Sequence, residues 1–119
     1  MPVVLITGTN RGLGLEFTRQ YCAAGWQVIA TCREPAASPE LGSLRREYAG
    51  LELHALDVAD FSMIDQLAAT LAGRPIDVLL NNAGVFGPRP VGDADPRQSF
   101  GSIDYDVWAS VLRVNLMAP

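Results

Sequence analysis

The sequence contains no lysine; all nine of its basic residues are arginines. A Walker-type phosphate loop, which needs Gly-Lys-Ser/Thr, is therefore excluded. Histidine occurs once, as His54, and cysteine twice, as Cys22 and Cys32. The cysteines form no metal-type cluster and read as reduced, structural thiols with no disulfide expected. A lone histidine among alternating strand residues reads as a surface side chain rather than a metal ligand or a catalytic base. No apolar run approaches membrane-spanning length. Met1-Pro2 leads straight into a short strand without a signal-peptide pattern, so a cytoplasmic location is expected. Charged residues are scarce, 18% against 49% apolar, and the net charge is −4. That composition suits a globular chain rather than a disordered one. Its acidic balance argues against a nucleic-acid or anionic-membrane partner. A chain of 119 residues suffices for one small domain with one core.

What the sequence does hold is concentrated between Val3 and Ala24. The run Val3-Val4-Leu5-Ile6 is continuous and β-branched, which predicts a buried parallel strand. A loop with glycines at 8, 12 and 14 follows, and then a helix whose apolar face is expected to be Leu13, Phe17, Tyr21 and Ala24. Strand, glycine loop and helix are the context of a nucleotide-phosphate site. The helix start offers unpaired N–H groups and the positive end of its dipole, and glycines let an anion come close. The glycine spacing is G-x-x-x-G-x-G, not the G-x-G-x-x-G of the usual dinucleotide fingerprint. Taken alone, such a loop also reads as an ordinary glycine-rich turn.

The pattern then repeats. Gly25 stops the first helix. Trp26–Thr31 reads as a second strand, ended at Cys32-Arg33-Glu34-Pro35. Ser38 caps a second helix with Pro39 at its first position; Leu41, Leu44 and Tyr48 form its stripe and Gly50 ends it. Leu51–Leu56 alternates as a third, edge strand, followed by Asp57-Val58. Asp60 caps a third helix with Phe61, Ile64, Leu67, Ala68 and Leu71 on its buried face, broken by Gly73, Arg74 and Pro75. Ile76–Leu80 is a fourth strand, followed by Asn81-Asn82-Ala83-Gly84. The stretch from Val85 to Gly101 is a long loop without periodicity, of a kind that is usually functional or mobile. Ser102 is expected to cap a last helix carrying Val107-Val111-Val114 and Trp108-Leu112-Asn115 at helical spacing.

Four local patterns in this order resemble the short-chain dehydrogenase/reductase family: Thr7-Gly8-Thr9-Asn10-Arg11-Gly12-Leu13-Gly14, Asp57-Val58, Asn81-Asn82-Ala83-Gly84, and Val114-Asn115-Leu116. They span nearly the whole chain. The resemblance implies an α/β fold, a Rossmann-type doubly wound parallel sheet of strand order 3-2-1-4, with residues 1–119 as one NAD(P)-binding domain and ligand at the switch between strands 1 and 4. It implies cofactor contacts from Gly8, Asn10, Arg11, Gly12, Leu13 and Gly14. Asp57 and Val58 would touch the adenine, and Asn81, Asn82, Ala83 and Gly84 would line and brace the approach to a ribose. It implies Asn115 as a member of the catalytic set.

Cofactor choice turns on the end of the second strand. Enzymes that prefer NAD usually place an acid there. Arg33 suits a 2′-phosphate instead, because a guanidinium pairs with phosphate in a bidentate way. Arg11 in the glycine loop is expected to reach the same phosphate. NADP-dependent carbonyl reductases of this family often carry a basic residue at each place, so NADP is expected over NAD. Glu34 is the counter-evidence, and either arginine also reads as a solvated surface charge.

One departure from the family is large. Its catalysis uses a Ser and a Tyr-x-x-x-Lys pair, the lysine lowering the tyrosine pKa. Here the tyrosines are Tyr21, Tyr48 and Tyr105, and no lysine exists to follow any of them. The chain is therefore expected to be the amino-terminal cofactor half of a longer subunit, its sheet truncated after strand 4 and unable by itself to reduce a carbonyl. A small-molecule carbonyl or alcohol is the implied substrate. Homo-oligomerisation or self-association through the open edge of strand 4 is expected. A non-catalytic nucleotide-binding or regulatory module remains the alternative, and the fold alone also admits a flavin or S-adenosylmethionine.

Overall fold

The first strand, β1 (Val3–Thr7), is buried along nearly its whole length, as the continuous apolar run requires of a strand covered on both faces. The computed structural model describes residues 1–85 and 104–119. The expected loop beyond Val85, and Ser102, lie outside the described residues. Two compact units are present, Met1–Ala83 and Gly84–Pro119.

In the first unit β1 is followed by α1 (Gly12–Ala23), β2 (Gln27–Cys32), a short 3-10 turn (Pro35–Ala37), α2 (Pro39–Glu47), β3 (Leu51–Ala55), α3 (Phe61–Thr70) and β4 (Val78–Leu80). All pairings are parallel, and the order is β3-β2-β1-β4, as expected. Successive strand residues point to opposite faces, and two cores follow. Val4 and Ile6 of β1 join Val28, Ala30 and Leu51 beneath Cys22 of α1 and Leu44 of α2. Val3 and Ile29 meet Leu71 on the other face, with Leu5 and Leu67 packed against them. Helices thus lie on both faces, which is the doubly wound arrangement.

The first helix corrects one expectation. Its buried residues are Gly14, Thr18 and Cys22; of the expected Leu13, Phe17, Tyr21 and Ala24, Tyr21 alone packs against the core, partly buried. Leu13 is 70% exposed and Phe17 37%. Gly14 faces the glycine loop, where a Cβ would collide with Gly8, and on the same side of the helix Cys22 packs onto the strands. Thr18 spends its hydroxyl within the helix, Oγ1 donating to the Gly14 carbonyl at 2.8 Å. In α3, Ala68 is likewise exposed, and the inward contact is carried by Leu67 and Leu71.

Element ends shift for identifiable reasons. Trp26 lies outside β2 because its N–H donates to the Tyr21 carbonyl and completes the helix end. Helix α2 stops at Glu47, with Tyr48 as its C-cap, short of Gly50. Strand β4 starts only at Val78, because Asp77 engages Val3 with its side chain as well as its backbone: Val3 N–H donates to Asp77 Oδ2 at 2.8 Å. The expected caps at Ser38 and Asp60 are present, accepting from Leu41 N–H and from Ser62 and Met63 N–H respectively.

On edge strand β3, Glu52 accepts two bonds from Arg74, at 2.9 and 2.8 Å. His54 Nε2 lies 3.5 Å from the same carboxylate, so the histidine belongs to a structural clamp at the sheet edge. Arg74 holds the Glu52 carboxyl below its ordinary value, with burial acting against it. The Glu52 side chain is 45% exposed, so the pair is worth at most about 1 kcal/mol. That contribution is present above the unfolded-state value and is lost as pH falls through the lowered one.

In the second unit Asp104, not Ser102, caps α4 (Tyr105–Leu112), accepting from Asp106 and Val107 N–H. The helix starts later than the expected cap requires, and Asp104 stands where both amides reach its carboxylate. The helix runs on into a π-helical turn over Arg113–Met117. Val107, Val111 and Val114 are half-buried, while Trp108 and Leu112 are exposed.

Candidate functional site

Because the four strands are parallel, their carboxyl ends and the loops after them share one edge of the sheet. That edge carries the residues from Gly8 to Gly14, Arg33 to Ser38, Asp57-Val58, and Asn81 to Ala83.

The loop after β1 turns at Gly8, whose φ is 68°. A Cβ there would stand 2.9 Å from Ala83 Cα, so only glycine lets this loop lie against the one after β4. Asn82 fastens the pair. Its Nδ2 donates to the Thr7 and Gly8 carbonyls, each at 3.1 Å. Ala83 N–H adds a bond to Thr7 Oγ1 at 3.0 Å. Thr7 is thus a site residue to which sequence patterning assigned no contact, although it heads the glycine-loop pattern; a hydroxyl at the end of a buried apolar run is the signal. Asn81 is exposed and Asn82 half-buried, so of the two expected braces Asn82 is the one that binds backbone.

Gly14 fits tighter still. A Cβ on it would lie 2.0 Å from the Gly8 oxygen and 2.6 Å from Asn82 Nδ2. The glycine loop and Asn82, distant in sequence, therefore meet at one point. Thr9, fully buried, ties the loop to β2 by donating to the Thr31 carbonyl through both its N–H and its hydroxyl. The loop is pre-set by these bonds.

Helix α1 opens on this loop at Gly12. Its N-cap, Arg11, makes no side-chain capping bond, and no acid stands in the first turn. First-turn N–H groups have no partner within a helix, so these and the positive dipole end are left to an outside anion. A Cβ position at Gly12 meets nothing within 4 Å, which leaves open space over the helix start. Leu13 borders that space.

Beside it lies a depression of about 390 Å³ lined by Asn10, Arg33, Glu34, Ala37, Ser38 and Glu40. Arg33 is in this wall. Arg11 is not; it stands at the α1 N-cap, and Asn10 fills its place. Among the described residues neither arginine forms an ion pair. Asp57 shapes the turn after β3, its Oδ1 accepting from Ala59 N–H at 2.9 Å; Val58 is half-buried next to it.

Gly84 and Asn115 belong to the second unit. There Asn115 Oδ1 accepts from Val85 N–H at 2.8 Å and its Nδ2 donates to the Val85 carbonyl at 2.6 Å. Both ends of the amide are spent on one backbone residue, from within a π turn, a feature frequent at functional sites.

A family model described as short chain dehydrogenase matches residues 2–119. The chain belongs to the short-chain dehydrogenases. A short-chain dehydrogenase of Talaromyces islandicus, cctT, is 37% identical over all of this chain and 42% of its own length. A short-chain dehydrogenase/reductase of Burkholderia multivorans, solved with bound NADP, superposes with TM-score 0.84 at 32% identity, covering 99% of this chain and 49% of that one. A carbonyl reductase of Pseudomonas aeruginosa in complex with NADP gives 0.85 at 31% identity, covering 100% and 51%. The chain thus spans about half the length of the relatives it matches.

In this short-chain dehydrogenase no helix among the described residues is long and apolar enough to cross a membrane, and no metal-holding cluster occurs among them. Cys22 and Cys32 are buried free thiols. Burial pushes the Cys22 thiol up to about 11, which keeps it protonated at neutral pH. The bracing role of Asn82 is open to test. Asn82→Ala is expected to lower the unfolding free energy by about 1–3 kcal/mol, the cost of leaving half-buried carbonyls without donors. A urea midpoint equal to wild type would show that other contacts hold the two loops together.

Proposed function

We propose that this chain binds NADP and belongs to an oxidoreductase that moves hydride between NADPH and a carbonyl or alcohol substrate. The observation that carries this reading is the open, uncapped start of α1 beside a depression walled by Arg33. One feature suits a pyrophosphate and the other a 2′-phosphate, and they adjoin on one sheet edge. The NADP held by the solved Burkholderia and Pseudomonas relatives supports the same choice.

In this reading the first-turn amides of Gly12, Leu13 and Gly14 hold the pyrophosphate, with Gly8 and Asn10 shaping the loop. Arg33 binds the 2′-phosphate, and Arg11, close by in sequence at the helix cap, adds long-range attraction. Asp57 and Val58 bracket the adenine. Asn81, Asn82, Ala83 and Gly84 provide the surface for the second ribose. When bound, the cofactor supplies or accepts the hydride. Asn115 serves as a positioning residue, because its amide is committed to Val85. Residues 1–119 act as one cofactor-binding domain. They contain no lysine, so the Tyr-x-x-x-Lys proton relay that the family resemblance implies is not among them, and this chain alone is not expected to reduce carbonyls.

Titration calorimetry tests the cofactor assignment: NADPH is expected to bind more tightly than NADH, and equal affinities would remove it. The buried free thiols support a reducing, cytoplasmic setting. We also place a self-association surface on β4, one of the two edges of the sheet among the described residues, where Leu79 is 54% exposed. Unpaired edge strands recruit other strands. Sedimentation velocity is expected to show concentration-dependent association; a single monomer boundary at high concentration would exclude that surface.

A further inference from the structure

The depression that holds Arg33 is not uniformly basic. Two carboxylates, Glu34 and Glu40, share its wall with that guanidinium. The two differ in how they are held. Glu40 stands in the first turn of α2, next to Ser38, which is buried with 7% exposure. Ser38 Oγ accepts from Leu41 N–H at 3.3 Å and donates to Glu40 Oε2 at 3.4 Å. The hydroxyl that caps the helix therefore also tethers the carboxylate at the rim. Glu34 makes no corresponding capping bond through its side chain.

We propose that Glu40 is a specificity-determining residue that opposes a dianionic group at the 2′ position and so limits how far the site prefers NADPH over NADH. The inference rests on the NADP reading above. Its basis is charge: a phosphate beside Arg33 gains a bidentate partner, and a tethered carboxylate in the same depression takes part of that gain back through like-charge repulsion. A ribose hydroxyl in place of the phosphate meets no such penalty, because a carboxylate accepts its hydrogen bond.

The test uses two probes, adenosine 2′,5′-bisphosphate and adenosine 5′-phosphate, titrated into wild type, Glu40→Gln and Glu40→Arg. Gln is nearly isosteric and can still accept from Ser38, and thermal melts check that each variant is folded. Glu40→Gln is expected to bind the bisphosphate about fivefold more tightly and Glu40→Arg more tightly again, with the monophosphate changed less than about twofold. These gains should shrink at roughly 0.5 M salt, where exposed charges are screened. Equal gains for both probes, or no graded response from Glu to Gln to Arg, would overturn the proposal while leaving wild-type bisphosphate binding intact. Wild type that binds neither the bisphosphate nor NADPH would overturn the NADP reading, and this proposal with it.

Discussion

Gly14→Ala is expected to abolish dinucleotide binding and to destabilise the first unit by about 3 kcal/mol or more, at or beyond the upper end of ordinary overpacking costs. A single added methyl would stand 2.0 Å from the Gly8 oxygen and 2.8 Å from its carbonyl carbon, and neither atom belongs to a side chain that can swing away. The backbone itself must shift. Gly8 is already fixed by its positive φ and by Ala83, while Asn82 pins the carbonyls of Thr7 and Gly8. Displacing α1 moves its first-turn amides away from the pyrophosphate position as well. Thermal denaturation and NADPH calorimetry on the same variant read the two losses. A stable Gly14→Ala protein that binds NADPH at wild-type affinity would refute the assignment of this loop as the phosphate site. The glycine at 12 provides the contrast: its Cβ position is open, so any cost there comes from φ and not from collision.

Arg33→Asp is expected to reverse cofactor preference, weakening NADPH by about 1–3 kcal/mol through loss of charge-assisted bonds to phosphate. That is roughly 5- to 150-fold in affinity. Arg33 is exposed and makes no ion pair among the described residues, so removing it leaves the fold intact and the effect falls on the ligand. NADH should bind no more weakly than to wild type, since an acid at this strand end accepts from ribose hydroxyls. Parallel titrations of both cofactors decide the matter. A loss shared equally by NADPH and NADH would mean that Arg33 acts on something common to both, such as the adenine, and would remove the 2′-phosphate assignment.

Several site features were legible in the residues before any coordinates. The glycine loop could be placed between a strand and a helix because period and composition change sharply at Gly8. Asp57-Val58 and Asn81–Gly84 were placed at strand ends for the same reason. Helical periodicity ranks the residues of α1 by hydrophobicity, whereas the buried face is set by contact: Gly14 lies against the loop at Gly8 and Cys22 against the sheet. Ser38 read as a helix cap and proved also to line the depression. Arg11 and Arg33 looked equivalent in sequence, yet only Arg33 reaches that wall.

The sequence by itself determined the alternation of strands and helices and the position of the phosphate loop. Each of these follows from local chemistry: β-branched runs, capping residues, and glycines where the backbone must turn. It also determined, by composition alone, that no lysine stands beside any tyrosine. Only the tertiary structure decided which side chains meet. Asn82 and Thr7 are 75 positions apart along the chain, and their bond exists because β4 pairs with β1. Glu40 shares a wall with Arg33 because α2 packs back onto the sheet. Such contacts depend on the distance between elements, which no local pattern encodes and which a single Cβ at Gly14 would change.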